Sequence, residues 1–161
     1  MKFICDDNLG KLAKFLRILG FDTAFDPNYD DKIALRTASS EERLLISRDN
    51  KLAIKTHPHG ILLINHDDPI DQLLNVIHSL KLKISPENLF LRCSLCNSLC
   101  EETDKQKATN EVFPYILKTQ DTIKKCPSCR RYYWKGTHYD KILNKLKSAI
   151  PDENLTGDWP L

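Results

Sequence analysis

Short apolar runs alternate with helical patterns over the first half of the chain. Four of these runs have the length and composition of buried strands: residues 2–5, 21–25, 43–47 and 61–65. Apolar residues at helical spacing follow each of them and predict helices at about residues 9–19, 30–40, 50–55 and 69–80. This alternation predicts a parallel sheet sandwiched by helices, an α/β fold.

Helix-capping residues mark several of the predicted boundaries. Asp7 or Asn8 is predicted to cap the first helix, and Gly20 is predicted to end it. Pro69 suits the first turn of the fourth helix. The strand and helix boundaries are therefore consistent with the apolar pattern.

Aspartates follow the strands of the predicted sheet. Right-handed crossovers bring the carboxyl ends of parallel strands to one edge, so these side chains are expected to meet there. Helix capping explains any one of them, but crowded carboxylates repel one another unless a cation binds, and oxygen ligands favour Mg²⁺ or Mn²⁺. The candidates are Asp6 and Asp7, Asp30 or Asp31, Asp49, and Asp67 or Asp68.

The second half of the chain contains two Cys-x-x-Cys motifs. Cys93 and Cys96 form the first motif, and Cys126 and Cys129 form the second. Two such pairs bracketing an insertion are typical of a structural four-thiolate zinc site of the zinc-ribbon kind. The alternative, two redox-active pairs, lacks a thioredoxin-like context. The two remaining cysteines are interpreted as a core residue and an incidental thiol: Cys5 and Cys100.

Basic and aromatic residues concentrate around and after the second cysteine motif. Between residues 118 and 147 basic side chains far outnumber acidic ones, and aromatic rings are interleaved among them. This pattern predicts a surface that binds phosphates and stacks bases, with Arg130, Arg131 and Trp134 as the main candidates. The alternative is an ordinary solvated face.

Length and composition limit the class of protein. The 161 residues carry a formal net charge of only +2. No stretch has the ~18 apolar residues of a membrane span, and the N-terminus lacks signal-peptide features, so a soluble, cytoplasmic protein without membrane association is expected. The length suits one moderate domain followed by a metal-stapled module. We predict an α/β domain at 1–85, a zinc ribbon with a C-terminal helix at 86–150, and a tail at 151–161.

Several stretches together resemble a known family. FICDDNLGKLAKFLRILGFDT, RLLISRDNKL, and CSLCN followed by CPSCRRYYWKGTHYDKI are similar to the PIN-like RNase domain found at the C-terminus of mut-7 exonuclease homologues. The similarity extends to about Ile150. It implies a PIN-like α/β sandwich carrying a zinc ribbon, with acidic residues that hold a divalent metal for RNA cleavage.

The resemblance also implies which acids hold the metal. Asp30 and Asp68 remain alternatives within their doublets. The implied set is Asp6, Asp31, Asp49 and Asp67.

The functional hypothesis is a ribonuclease that uses Mg²⁺ or Mn²⁺ and carries structural Zn²⁺. Lys11, Lys14 and Arg48 are candidates for binding substrate phosphates near the acids. The aromatic content favours tRNA or other single-stranded or looped RNA as the substrate. One alternative is a non-catalytic, RNA-binding zinc-ribbon protein, whose binding would weaken steeply with salt. Another is a phosphoryl-transfer enzyme in which Asp6 is the nucleophile.

Overall fold

The structure, a computed structural model, describes residues 1–52 and 55–159. These residues form two compact units. The first comprises Met1–Asn97 and the C-terminal segment from Pro151, and the second comprises Ser98–Ile150. Within the described ranges, no helix is both long enough and apolar enough to cross a membrane.

The first unit is built on a parallel sheet. Its strands are Lys2–Cys5 (β1), Asp22–Ala24 (β2), Leu44–Ser47 (β3) and Ile61–Leu63 (β4). Its helices are Gly10–Ile18 (α1), Asp31–Ser40 (α2) and Pro69–Ser79 (α3). The strand order is β2-β1-β3-β4, and every neighbouring pair is parallel. The predicted α/β class is confirmed.

Helices cover both faces of this sheet. On one face, Ile4 of β1 and Leu45 of β3 pack against Ala34 and Ala38, whose small side chains let α2 approach closely. Successive strand residues point to opposite faces, so the buried Phe3 lies on the other side. There α1 packs against β1, β2 and α3.

The predicted cap of the first helix is wrong. Leu9 is the residue at the N-cap of α1, and no side chain caps this end of the helix. A Cβ atom at Gly10 would lie 2.8 Å from the Phe25 ring, so a glycine allows the helix to begin against this ring. Asp7 and Asn8 are therefore not used as caps and are available at the end of β1.

Two other segments refine the predicted boundaries. The helix predicted at 50–55 is a 3-10 turn at Asn50–Leu52, and Ala53 and Ile54 lie outside the described residues. The C-terminal segment, predicted as a tail, belongs to the first unit and pairs with it through a parallel bridge between Leu155 and Ile84.

The second unit contains a small antiparallel sheet. Its order is β5-β6-β7, with strands at Glu101–Thr103 (β5), Ile123–Lys125 (β6) and Tyr132–Trp134 (β7). Helices lie at Pro114–Thr119 (α4) and Thr137–Ala149 (α5). Few large apolar side chains are buried in this unit, and a core of this size gains stability from a structural metal site. The buried apolar residues include Ala108, Val112, Ile123, Leu143 and Leu146.

Candidate active site and metal centre

A cavity of about 630 Å³ opens at the carboxyl end of the parallel sheet. The chain leaves β1 towards β2 on one side, whereas β3 pairs with β1 on the other side, so the loops after β1 and β3 diverge. Ligand sites of open α/β sheets form at such a reversal of strand order. The cavity is lined by Asp6, Asp7, Asn8, Tyr29, Asp30, Asp31, Lys32, Arg48 and Asp49.

A buried hydroxyl links the first and third acids of the predicted set. Ser47, the last residue of β3, is fully buried, and its Oγ donates to Asp6 Oδ2 at 2.6 Å. The same Oγ accepts from the backbone N–H of Asp49 at 2.9 Å. Asp6 is only 5% exposed, and its other carboxylate oxygen accepts from the Asp7 N–H at 3.0 Å. Ser47 thus orients the Asp6 side chain and the loop that carries Asp49.

The two aspartates at the start of α2 have different roles. Asp30 is the N-cap, and its Oδ1 accepts from the Ile33 N–H at 2.7 Å. Asp31 lies in the first helical turn, and its carboxylate has no hydrogen bond among the described residues. Asp31 is therefore the carboxylate of this doublet that is not engaged in capping the helix.

The doublet after β4 lies outside the lining of the cavity. Asp68 caps α3, accepting from the Ile70 N–H at 2.7 Å. The side chain of Asp67 is 91% exposed and forms an ion pair with Arg48, which does line the cavity. Because β4 is separated from β1 by β3, its end lies about 10 Å further along the sheet edge. The fourth acid is therefore not part of the cavity lining that the other three share.

The predicted phosphate-binding residues are distributed unevenly. Arg48 lines the cavity, whereas Lys11 and Lys14 are exposed on α1 and do not. Sequence reasoning missed Ser47, Tyr29 and Lys32. The Ser-Arg-Asp sequence that begins at the last residue of β3 could have indicated Ser47. A hydroxyl two residues before an acid can accept a hydrogen bond from the backbone N–H of that acid.

The charge of the cavity supports the binding of a cation. Among the residues that the structure describes, no ion pair neutralises Asp6, Asp31 or Asp49. Their oxygen atoms are the ligand type preferred by Mg²⁺ and Mn²⁺. Within the described ranges, no set of three or more carboxylates is as closely spaced as the four cysteines described next.

The four cysteines of the two Cys-x-x-Cys motifs form a compact group. Their Sγ atoms all lie within 4.8 Å of one another. Tetrahedral zinc with Zn–S bonds of 2.3 Å requires sulfur atoms about 3.8 Å apart, so the group fits a four-thiolate site. Its members are Cys93, Cys96, Cys126 and Cys129.

Both motifs have the same local turn. The Cys96 N–H points at Cys93 Sγ at 3.4 Å, and the Cys129 N–H points at Cys126 Sγ at 3.5 Å. The residue after each second cysteine has positive φ, +73° at Asn97 and +61° at Arg130. The turns orient the thiols and supply N–H donors that favour thiolate charge.

Comparison with protein families agrees with this architecture. The family model of the Mut7-C RNAse domain matches residues 1–146. The chain belongs to this family. Comparisons with curated proteins and with solved structures gave no match.

Cys5 of this Mut7-C domain is a core residue, as predicted. It is fully buried in β1, and burial raises the pKa of its thiol to about 12. Cys5 is therefore a neutral packing group at physiological pH, and it lies outside the four-cysteine group described above.

The basic surface of the Mut7-C domain is located in its second unit. Arg130, Arg131 and Trp134 are exposed, whereas Tyr132 is half-buried. The Tyr132 hydroxyl accepts from Lys125 Nζ at 2.8 Å, and this ammonium lies 4.7 Å from the ring centroid. Tyr132 thus has a structural contact, while the two arginines and Trp134 are available to a ligand.

Proposed function

We propose that this chain is a metal-dependent ribonuclease that hydrolyses RNA phosphodiester bonds. The observation that carries the proposal is the joint placement of Asp6, Asp31 and Asp49 around one cavity at the carboxyl end of the sheet. Membership of an RNase domain family supports the same reaction class.

The three carboxylates are proposed to hold Mg²⁺ or Mn²⁺. When bound, such a cation acts as a Lewis acid on the phosphate and lowers the pKa of a water molecule. Ser47 keeps Asp6 and the Asp49 loop in a fixed orientation, so little rearrangement is needed on binding. The supporting feature is that Asp6, Asp31 and Asp49 have no ion-pair partner within residues 1–52 and 55–159.

Cationic side chains at the cavity are proposed to position the scissile phosphate. Arg48 and Lys32 line the same space as the acids. Asp67, the fourth acid implied by the resemblance, is proposed to act through Arg48, which it holds in an exposed ion pair. Lys11 and Lys14 are proposed to bind RNA phosphates further along α1.

The zinc ribbon is proposed to bind RNA outside the cavity. Arg130 and Arg131 would contact phosphates, and Trp134 would stack on an unpaired base. This arrangement favours tRNA or other single-stranded or looped RNA.

The test is cleavage of labelled RNA with Mn²⁺ or Mg²⁺ by the wild type and by Asp6→Asn and Asp49→Asn. We expect each substitution to lower the rate more than about 100-fold, since even outer-sphere partners of metal ligands contribute about 10- to 100-fold. Asp121→Asn removes an exposed carboxylate of the second unit and serves as the matched control, with unchanged cleavage.

Two results would reject the proposal. Equal cleavage by all four proteins would show that the acids are not needed. RNA binding that weakens with salt, without turnover in either metal, would instead favour the non-catalytic RNA-binding protein.

A further inference from the structure

The first cysteine motif is anchored to the parallel sheet by a buried arginine. Arg17 of α1 is 4% exposed, and its Nη1 donates to the backbone oxygen of Leu95 at 2.6 Å, with a longer contact to that of Ser94 at 3.4 Å. Its Nε donates to the Thr23 oxygen of β2 at 2.8 Å. One guanidinium therefore joins the edge strand of the sheet to the residues between Cys93 and Cys96.

Asn97 makes a second connection to the same strand. Its Oδ1 accepts from the Thr23 N–H at 3.0 Å, and its Nδ2 donates to Asp22 Oδ1 at 2.8 Å. Its own N–H donates to the Cys93 oxygen at 3.0 Å and closes the turn. Because β2 is an edge strand, Asn97 takes the place that a neighbouring strand would otherwise occupy.

We propose that Arg17 and Asn97 are positioning residues for zinc at the four-cysteine site. They hold the Cys93–Cys96 turn on the sheet in a geometry ready to bind metal. Zinc occupancy in turn stabilises the edge strand β2.

The charge of the site supports this role for Arg17. Four thiolates around one divalent cation carry net negative charge, and a buried guanidinium close to the turn compensates part of it. Arginine keeps its charge in proteins, and its planar fork can serve several acceptors at once.

The second cysteine motif provides an internal comparison. Its turn has the same N–H to oxygen bond, from Arg130 to Cys126 at 3.0 Å, and the same positive φ. However, the Arg130 side chain is exposed, whereas the Asn97 side chain bonds to β2 through both its Oδ1 and its Nδ2. The two motifs therefore share the ligand geometry but differ in this anchor.

The anchor also bears on the acidic cavity. Strand β2 leads through residues 25–30 to Asp31, which lines that cavity. Zinc occupancy would therefore help to hold Asp31 in place, a step that rests on the proposed nuclease function. The positioning of zinc does not depend on this step.

The test is zinc release from the zinc-loaded 161-residue protein into an excess of chromophoric chelator, without RNA. Asn97→Gly keeps the positive φ but removes the side chain, and Arg130→Gly does the same in the second motif. We expect Asn97→Gly to release zinc at least about 10-fold faster than the wild type, and Arg130→Gly to match the wild type. Equal release rates for the two glycine variants would overturn the proposal.

Substitutions of Arg17 provide an independent test in the same zinc-release experiment. Arg17→Met removes the charge and the fork, and is expected to accelerate release by at least about 10-fold. Arg17→Lys keeps the charge but not the fork, and is expected to lie between wild type and Arg17→Met. If the Arg17 variants do not fold, Asn97→Gly decides the outcome. Release from Asp6→Asn at the wild-type rate would show that the result is independent of the proposed nuclease activity.

Discussion

The acidic cavity and the four-cysteine group are both suited to cations, but the chain builds them in different ways. The cysteines come from two short motifs, each shaped by its own turn, and their sulfur atoms lie within 4.8 Å of one another. The carboxylates follow three different strands, with Asp31 at the start of α2, and they line a common cavity. A closed thiolate site suits a structural ion, while an open site of oxygen ligands leaves room for substrate.

The largest expected difference between the two sites concerns folding. Excess zinc chelator, or Cys126→Ser, should unfold the second unit, because its small core depends on the metal. Removing Mg²⁺ or Mn²⁺ should leave both units folded. The measurement is amide dispersion in two-dimensional NMR spectra, combined with zinc content.

Cys100→Ser is the matched control for this experiment. Cys100 is outside the four-cysteine group and should be replaceable without loss of zinc. Loss of zinc in this variant would contradict the assigned ligand set. An unchanged spectrum after complete zinc removal would contradict the structural role.

The contrast also explains what the sequence could predict. The cysteine group was predictable because spacing within each motif fixes the local turn. The acids at Asp6, Asp31 and Asp49 were predictable as a set, since parallel strands share one carboxyl edge. The position of Asp67 outside this lining was not predictable, because the alternation of strands and helices encodes neither the strand order nor the ion pair with Arg48.

Side-chain connections were the least predictable feature. Ser47 and Arg17 each link positions distant in the chain, with Arg17 reaching a residue 78 positions away. In the sequence Arg17 lies on the same helical stripe as Lys11 and Lys14, so the pattern does not distinguish it from these exposed lysines. Its burial depends on the Cys93–Cys96 turn, which is distant in the sequence and bonds to the same guanidinium as β2.

A stability prediction follows from the salt bridge at β2. Burial alone would raise the pKa of Asp22, but hydrogen bonds from Arg43 and Asn97 lower it below its ordinary value. The Arg43 Nη1 lies 2.5 Å from Asp22 Oδ1. Asp22→Asn should therefore reduce the free energy of unfolding by about 2 to 3 kcal/mol at pH 7, as measured by urea titration.

The pH dependence of this effect has a defined sign. Because the pKa of Asp22 is lowered on folding, its contribution is complete above about pH 4 and is lost as the pH falls through the folded-state value. The difference between wild type and Asp22→Asn should shrink below about pH 4. Acid also releases zinc, but it does so in both proteins.

Asp71→Asn, an exposed control, should change stability by less than about 0.5 kcal/mol. A constant difference at all pH values would contradict the role of the carboxylate.

A smaller effect is expected at the buried hydroxyl of the acidic cavity. Ser47→Ala removes the donor to Asp6 and the acceptor for the Asp49 N–H. Cleavage should fall about 10- to 100-fold, and the Mn²⁺ concentration for half-maximal rate should rise. Ser40→Ala, at the exposed end of α2, is the control. An unchanged Mn²⁺ requirement would mean that Ser47 only fills space.

The smallest effect is expected at the basic surface of the second unit. Replacing Arg130 and Arg131 by alanine removes two exposed charges and none of the cysteine or carboxylate ligand candidates. If each arginine contacts one phosphate of single-stranded RNA, the slope of log affinity against log salt should decrease by about 1.4. Arg36→Ala removes an exposed charge from α2 and should leave the slope unchanged. Fluorescence anisotropy with the Asp6→Asn protein, which is expected not to cleave RNA, measures binding alone. A slope unchanged in the double variant would place the RNA elsewhere, and would leave Trp134 without the phosphate contacts needed to bring a base onto its ring.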